Sequence, residues 1–392
     1  MPTFAEFLAP FDAADFKTRF FGQKPLHIPA AGRTLANPLP WRRFNDCLDL
    51  GAFWNEDTLK VFYRNRLALR DNYCDLNNIG PDQKAAADPR KVKALLGFGA
   101  SLVANQIQRV SPEVAGIVQM LQREFAASAG ANVYCSFQRV QAFNTHYDLH
   151  DVFALQAEGE KLWRIYEARA DNPLSPLPPG DEAENWLVAT RGKVVAEVLM
   201  KPGDLLYLPR GQYHDAVTGA DASLHVTFWL KPATGLSLFK LLESAAAADS
   251  DFRAYLADAA DGDALALQLA NLGRKLQQLM TSGSFAIDVA NHQRSFITQA
   301  AGFELPQRQR STYYSTAKRG QVVRHRDGFA AQIEGRQLEV GSAHPAVAWL
   351  LQQRLFSFDD LLARFPFVGE AHLQSVLQEL SSMGAIVETE MR

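Results

Sequence analysis

Cysteine is scarce in this 392-residue sequence, and its three cysteines lie far apart. Cys47, Cys74 and Cys135 include no Cys-x-x-Cys pair, which is typical of reduced, buried thiols and excludes a disulfide framework or a zinc cluster. No segment approaches the roughly 18 uninterrupted apolar residues of a membrane span, and charged residues interrupt the N-terminal stretch Phe4–Phe21. The sequence therefore predicts a cytoplasmic protein with no signal peptide and no membrane contact.

An excess of charge of either sign is also missing. The formal net charge is −3 at pH 7, with 47% hydrophobic and 21% charged residues, which is the composition of an ordinary globular protein. This balance excludes a chain that is mainly disordered and a protein that binds nucleic acid through bulk charge alone. At roughly 100–200 residues per domain, the length allows two or three domains.

Short β-type runs separated by glycine and proline dominate residues 132–230. Strands this short and this closely spaced favour a sandwich or barrel of the jelly-roll kind. Residues 1–130 carry mixed helix and strand signals, among them an amphipathic helix at Pro112–Ala127 with proline in its first turn. We interpret residues 1–130 as a layer that covers the barrel.

Beyond Gly235 the chain becomes helical and rich in alanine. Leucines recur there at alternating spacings of 4 and 3 residues, which places them on one stripe of a helix. This periodicity fits an internal core helix and a helix that joins two copies of the chain equally well. The stripe consists of Leu265, Leu269, Leu272, Leu276 and Leu279.

Residues 306–326 form a polar connector, which we interpret as a linker or extended loop. A solvated linker is the simpler hypothesis, although the segment could also contact RNA or an acidic partner. Its positive charges are Arg308, Arg310, Lys318, Arg319, Arg324 and Arg326.

The C-terminal region has signals for three helices and a terminal strand, which suggest a winged-helix module. The helices are expected at His344–Gln353, Ser357–Phe365 and Glu370–Met383, and the strand at Ala385–Glu390. The last helix contains no lysine or arginine, whereas a helix that reads DNA needs basic or amide side chains. No sequence-specific DNA binding is therefore expected, and a protein contact or a structural role is the better interpretation.

Histidines and a carboxylate that could bind a metal flank the β-rich region. In an extended strand His146 and Asp148 would point to the same side, because they are two residues apart. His214 follows a turn, a strand and a second turn that begin at Pro202. Two histidines and one carboxylate are the set that holds non-haem Fe(II) on one face and leaves other positions open. The sequence therefore predicts a metal site formed by His146, Asp148 and His214.

Two further histidines are rival ligands. His146 and His150 would share a face of a helix and could imitate a zinc pair, but the β-type pattern around them disfavours a helix. His225 lies in an alternating strand, where a packed core histidine is the more frequent role. Both rank below the three predicted ligands.

The motif around these residues resembles that of the JmjC-type 2-oxoglutarate oxygenases, specifically the ribosomal-protein hydroxylases. The similar run is His146-Tyr-Asp, then Val152-Phe153, Gln156, Gly159-Glu160-Lys161 and Trp163, followed by the distal His214. The resemblance is specific over about residues 132–230 and only architectural elsewhere.

The resemblance implies an α+β protein that forms a homodimer. Residues 1–234 would form a mainly β catalytic domain, a double-stranded β-helix of the jelly-roll or cupin type with N-terminal covering helices. Residues 235–305 would form a helical dimerisation domain, and residues 306–392 the connector and a winged helix.

The resemblance also implies an Fe(II)- and 2-oxoglutarate-dependent hydroxylase with His146, Asp148 and His214 as iron ligands. The far carboxylate of 2-oxoglutarate needs a buried cation, and Lys161 is the candidate, although alone it would be interpreted as a solvated charge in a turn. Residues that match further co-substrate contacts of the family are Asn132, Tyr134 and Thr227.

The target side chain stays unassigned in the sequence. The resemblance implies a ribosomal protein as substrate, with histidine or arginine as the hydroxylated residue. However, Arg139 stands where the family member that acts on arginine has an acidic residue, and Trp229 stands where the histidine hydroxylases have serine. Two alternatives remain, a metal-dependent cupin isomerase or sugar-processing enzyme and a non-catalytic winged-helix scaffold.

Overall fold

The computed structural model describes residues 2–33, 35–63, 66–79, 84–137, 144–176, 181–218, 222–298, 312–325 and 328–389. The chain divides into two compact units, Met1–Ala300 and Ala301–Arg392. The predicted further division of the first unit at residue 234 stays a prediction.

The first unit combines helices near its two ends with a strand-rich middle. Its helices are α1 (Phe4–Leu8), α2 (Ala13–Arg19), α3 (Trp41–Leu48), α4 (Pro89–Gly97), α5 (Pro112–Phe125), α6 (Asp181–Thr190), α7 (Ser237–Ala246), α8 (Ser250–Arg253), α9 (Gly262–Met280) and α10 (Gly283–Arg294). Its strands are β1 (Leu26–Ile28), β2 (Leu59–Tyr63), β3 (Arg66–Leu67), β4 (Cys74–Ile79), β5 (Ala85–Ala87), β6 (Ser101–Ala104), β7 (Ala127–Ser136), β8 (Asp151–Glu158), β9 (Lys161–Arg169), β10 (Val194–Met200), β11 (Leu205–Leu208), β12 (Gln212–Thr218) and β13 (Ser223–Pro232).

Two antiparallel sheets form the core of this unit. The larger has the strand order β1-β11-β8-β13-β7-β6-β2-β3, and the smaller has the order β10-β9-β12. Strands β4 and β5 form a separate ribbon. The predicted β core is therefore confirmed.

Strand β8 is buried on both of its faces. Phe153 points to the helical layer, where its ring packs against Phe7 and Phe16. Val152 and Ala154 point the other way and pack in the cluster that contains Trp163 of the smaller sheet. Because side chains alternate along a strand, the space between the two sheets is lined by every second residue.

Helix α5 begins at Pro112, as the sequence predicts, but it ends at Phe125, two residues before the predicted end. In α5, Pro112 occupies the first turn and the Ser111 hydroxyl accepts a hydrogen bond from the backbone N–H of Val114. The buried residues of α5 pack in the same core as β7, so the helix covers the outer face of the larger sheet. Cys47, Cys74 and Cys135 are buried free thiols, as their spacing predicts.

The helical region after Gly235 buries little of its apolar surface. Helix α9 carries the predicted leucine stripe, yet none of its residues is buried, and Leu269 is 52% exposed. Phe239 of α7 and Ile287 of α10 are 65% and 61% exposed. None of the helices in the described part of the chain is long and apolar enough to cross a membrane.

In the residues that the structure describes, the second unit has three α-helices and two small sheets. Its elements are β14 (Tyr313–Thr316), β15 (Gly320–His325), β16 (Gly328–Ile333), β17 (Arg336–Glu339), α11 (His344–Leu350), β18 (Leu355–Ser357), α12 (Phe358–Arg364), α13 (Glu370–Ser382) and β19 (Ile386–Thr389). The sheets have the strand orders β18-β14-β19 and β15-β16-β17. The three helices and the terminal strand match the pattern read from the sequence, while the winged-helix assignment stays a prediction.

The interpretation of residues 306–326 as a linker or extended loop is wrong for the part that the structure describes. Strand β14 is the central strand of its sheet and pairs with β18 and β19. Both partners lie far away in the sequence, so local composition gave no sign of the pairing. Arg308, Arg310 and Arg326 lie outside the described residues.

Candidate functional site

A backbone bridge joins the two predicted histidine ligands. The N–H of His146 donates to the carbonyl oxygen of His214 at 3.0 Å, and the reverse bond is 2.9 Å long. The prediction that His146 and Asp148 lie on one extended strand is wrong, because the bridge is isolated and Asp148 precedes β8. Instead, the carbonyl oxygen of Asp148 accepts a hydrogen bond from Gly211, in the turn before β12.

Glycine is required in this turn. Gly211 has a φ of +83°, and a Cβ there would lie 2.2 Å from the carbonyl oxygen of Ala170. The turn leads directly into β12, which carries His214. The glycine therefore helps to set the position of the second histidine relative to Asp148.

The structure brings the three predicted ligands together. One ligand atom from each of His146, Asp148 and His214 lies within 4.8 Å of the others. His214 Nε2 is 3.6 Å from Asp148 Oδ2. His150 is outside this group, and its Nδ1 lies 3.3 Å from the carbonyl oxygen of Asp151.

Hydrogen bonds fix the orientation of both imidazoles. Nδ1 of His146 lies 2.9 Å from the carbonyl oxygen of Asn144, and Nδ1 of His214 lies 2.9 Å from that of Gln212. Because a carbonyl oxygen can only accept, each Nδ1 must carry the hydrogen. The Nε2 atoms then keep their lone pairs, which is the arrangement that a metal-binding histidine needs.

The protonation states also suit a divalent cation. Burial and the neighbouring His146 lower the pKa of His214 to about 4, so this imidazole is neutral at neutral pH. Burial alone would raise the pKa of Asp148, but the imidazoles of His146, His214 and His150 outweigh it and lower that pKa. A neutral imidazole, as at His214, and an ionised carboxylate, as at Asp148, are forms that bind metal.

A cavity of about 250 Å³ opens beside this cluster, between the two sheets. Across β13 and β7, the ring of His225 stacks on that of Tyr134 at 5.0 Å, and Thr227 lies opposite Asn132. The lining residues are Tyr134, His146, Asp148, Val152, Lys161, Trp163, His214, Ala216, His225 and Thr227.

Lys161 is a buried cation without an acidic partner in the described part of the chain. It is 3% exposed, and its burial lowers the pKa of its ammonium group to about 8. Gly159, with a φ of +63°, forms the turn before it, where a Cβ would lie 1.9 Å from the carbonyl oxygen of Ala222. The solvated-turn interpretation of Lys161 is therefore wrong, and a cavity that holds a buried cation suits an anion.

Asn132, Arg139 and Trp229 were also singled out in the sequence, and none of them lines the cavity in the described residues. The side-chain oxygen of Asn132 accepts a hydrogen bond from the backbone N–H of Gln106 at 3.2 Å, and Asn132 does not line the cavity. Arg139 lies outside the described residues. Trp229 packs on Gly130, and its ring centroid is 6.0 Å from that of His150.

Some residues that line the cavity were not predicted from the sequence. The ring of Trp163 stacks on that of His214 at 5.6 Å, and its side chain enters the cavity two residues after Lys161 on β9. The alternation of strand residues could have found Trp163, since Lys161 was already a candidate. His225 was ranked as a packed core residue, and it is both buried and part of the cavity wall.

The region that holds this site is similar to known proteins. Residues 103–238 match the family model of the JmjC domain. The chain is 32% identical, over 230 residues, to a Dictyostelium discoideum protein named bifunctional lysine-specific demethylase and histidyl-hydroxylase NO66, a match that covers 57% of this chain and 41% of that protein. It is 37% identical over 140 residues to ribosomal oxygenase 1 of Rattus norvegicus, covering 36% of this chain and 23% of that protein.

A solved structure shares the fold over almost the whole chain. The ribosomal oxygenase YcfD from Escherichia coli, in complex with cobalt and 2-oxoglutarate, matches with a TM-score of 0.50 and 14% identity. The match covers 97% of this chain and 99% of that one. By contrast, the chain spans less than half the length of the Dictyostelium and rat relatives. The resemblance drawn from the motifs is confirmed: residues 103–238 of this chain match the JmjC domain, and the chain is similar to proteins named ribosomal oxygenases.

Proposed function

We propose that this chain is an Fe(II)- and 2-oxoglutarate-dependent oxygenase that hydroxylates a side chain of a ribosomal protein. The main support for the proposal is that the three-ligand cluster and a buried lysine line the same cavity of about 250 Å³. A ligand cluster alone fits many metal-dependent barrels. The lysine adds the second feature that a dicarboxylate co-substrate needs.

The donor set fits Fe(II). His146 and His214 would bind through Nε2, since Nδ1 of each faces a carbonyl oxygen, and Asp148 would bind through its carboxylate. Such a set leaves further coordination positions open for other ligands. When bound together, Fe(II) and 2-oxoglutarate would supply the oxidising chemistry: 2-oxoglutarate would lose carbon dioxide, and the two oxygen atoms of dioxygen would end in the succinate formed and in the hydroxylated C–H bond.

The far end of the cavity fits the second carboxylate of 2-oxoglutarate. Lys161 would pair with it, and the hydroxyl groups of Tyr134 and Thr227 line the same cavity as hydrogen-bond donors. Burial removes water from the ammonium group of Lys161, and the resulting low dielectric strengthens its attraction for an anion. Asn132 would act at this site only through its position on β7, opposite Thr227.

The substrate assignment comes from the relatives. One relative is named a histidyl-hydroxylase and others are named ribosomal oxygenases, which supports a ribosomal protein as substrate. The altered positions Arg139 and Trp229 give no support to either histidine or arginine as the target.

The assembly is proposed to be a homodimer joined through residues 235–305. Its support is the exposure of large apolar side chains on α7, α9 and α10, since extensive exposed apolar surface is uncommon on a monomer. We also propose that residues 306–392 contain a winged helix and that this module contacts another protein. The lack of lysine and arginine in α13 supports this over DNA binding.

Succinate release tests the activity. Protein supplied with Fe(II), ascorbate, 2-oxoglutarate and ribosomes from cells that lack it should release succinate. Mass spectrometry of those ribosomes should find one protein heavier by one oxygen atom, at a residue that is already modified in cells with the protein. A sample that binds Co(II) but neither binds nor consumes 2-oxoglutarate would contradict the proposal and favour another metal-dependent barrel enzyme.

A further inference from the structure

The bridge between His146 and His214 has a second side that faces away from the cavity. Because the bridge is antiparallel, Thr145 lies opposite Asp215, each next to one of the histidines. The hydroxyl of Thr145 donates to Asp215 Oδ2 at 2.9 Å. This side-chain hydrogen bond joins the same two segments as the backbone bridge, on the side away from the cavity.

Asp215 is anchored to the smaller sheet. It is 1% exposed, and besides Thr145 it accepts hydrogen bonds from the Tyr166 hydroxyl and from Arg164 Nε, both at 2.7 Å. Arg164 lies directly opposite Asp215 in the pairing of β9 with β12. The carboxylate therefore ties Thr145, which lies outside any strand, to an ordered ladder.

Arg191 extends this link to the connection between β9 and β10. It follows α6 directly, its Nη1 donates to Thr145 Oγ1 at 3.1 Å, and its guanidinium lies over the Tyr166 ring at 4.9 Å. A threonine hydroxyl has one hydrogen, and arginine can only donate. The contact with Arg191 therefore directs the hydrogen of Thr145 toward Asp215.

On the basis of the proposed function, we propose that Asp215 is a positioning residue of the metal centre. Acting through Thr145, it holds His146 at a fixed spacing from His214, so that the two Nε2 atoms are preorganised for the metal. Without Thr145 and Asp215, an isolated bridge of two backbone hydrogen bonds would set this spacing. Outer-shell partners of this kind usually change metal affinity by about 10–100-fold when they are removed.

The decisive variant is Thr145→Val, which keeps the shape of the side chain and removes its hydroxyl. It should weaken Co(II) binding by about tenfold or more in a titration of the ligand-free protein, and it should change the visible absorption spectrum of bound Co(II), which reports ligand geometry. Thr145→Ser should restore both. Asp215→Asn should act in the same direction, because it removes the charge that gathers the three donors.

Thr190→Val is the matched control. Its hydroxyl also lies next to a buried tyrosine hydroxyl, that of Tyr213 at 3.2 Å, but it does not touch Asp215. This variant should bind Co(II) like the wild type. The thermal unfolding midpoint of each variant separates loss of the fold from loss of spacing, and Thr145→Val decides the question even if Asp215→Asn fails to fold.

The outcomes distinguish this inference from the proposed function. Wild-type affinity and spectrum in Thr145→Val would overturn the positioning role and leave the oxygenase proposal untouched. Wild-type protein that takes up no Co(II) would overturn the metal site itself, and the positioning role with it.

Discussion

The barrel and the helical region after it differ in how far the chain covers its own apolar surface. Strand β8 is buried along seven of its eight residues, whereas α7 and α10 each bury a single side chain and α9 buries none. Strand β8 is therefore covered by its own chain. The helices present an apolar surface that the described residues of the same chain leave largely exposed.

This difference separates two kinds of substitution. A change inside the barrel cavity should alter chemistry or ligand binding, because the surrounding core holds its position. If the proposed homodimer forms through α9, a change on its leucine stripe should alter assembly, since no residue of this helix is fully buried within the chain. Four expected outcomes, from the largest effect to the smallest, test this contrast.

Replacement of either histidine of the cluster should have the largest effect. His146→Ala and His214→Ala each remove one of three ligands, so we expect loss of metal binding and of 2-oxoglutarate turnover without loss of the fold. Co(II) titration and succinate release measure both effects.

His150→Ala is the matched control for these variants. It is close in sequence and outside the cluster, so its metal binding should match that of the wild type. Turnover that survives in both His146→Ala and His214→Ala would remove the ligand assignment.

Removal of the buried cation should affect the co-substrate and spare the metal. Loss of one partner of a desolvated charge pair costs about 2–5 kcal/mol, so Lys161→Ala should raise the KM for 2-oxoglutarate by well over tenfold. Co(II) affinity should stay close to the wild-type value.

The exposed Lys193 offers a control of equal charge, and Lys193→Ala should leave the KM unchanged. An unchanged KM in Lys161→Ala would mean that the co-substrate binds elsewhere.

Substitutions in the leucine stripe of α9 test the proposed role of the helical region in dimerisation. Leu272→Arg together with Leu276→Arg should convert a dimer into a folded monomer in sedimentation, because neither leucine is buried within the chain. Gln278→Arg changes an exposed polar residue of the same helix and should leave the dimer intact. If the stripe is internal after all, the paired change should unfold the region, and wild-type protein that sediments as a monomer would end the proposal without any variant.

Parts of the molecule also differ in how much of their structure could be predicted from the sequence. The spacing of His146, Asp148 and His214 in a β-rich region predicted the cluster, although not the bridge that forms it. Strand β14 was missed because its partners are far away in the sequence. The pairing of Thr145 with Asp215 was equally inaccessible, since it depends on the register of a bridge between distant segments.

The smallest expected effect concerns stability, and it also arises at Lys161. Burial lowers the pKa of this ammonium group from 10.5 to about 8, so at neutral pH the folded, ligand-free protein bears a cost on the order of 3 kcal/mol. Below the folded pKa both states carry the proton and the cost is present in full. Between the folded and the unfolded pKa the unfolded state binds more protons, so this contribution makes stability rise with pH.

Lys161→Met should therefore be more stable than the wild type at neutral pH, and the advantage should shrink as the pH rises through the folded pKa toward about 10. Urea unfolding of the ligand-free protein across this range measures the difference, with Lys193→Met as the control because Lys193 is exposed. An advantage that stays constant with pH would show that the gain comes from packing. A stability advantage that shrinks as the pH rises would show that the charge on Lys161 destabilises the folded, ligand-free protein. Packing of the core does not require this charge.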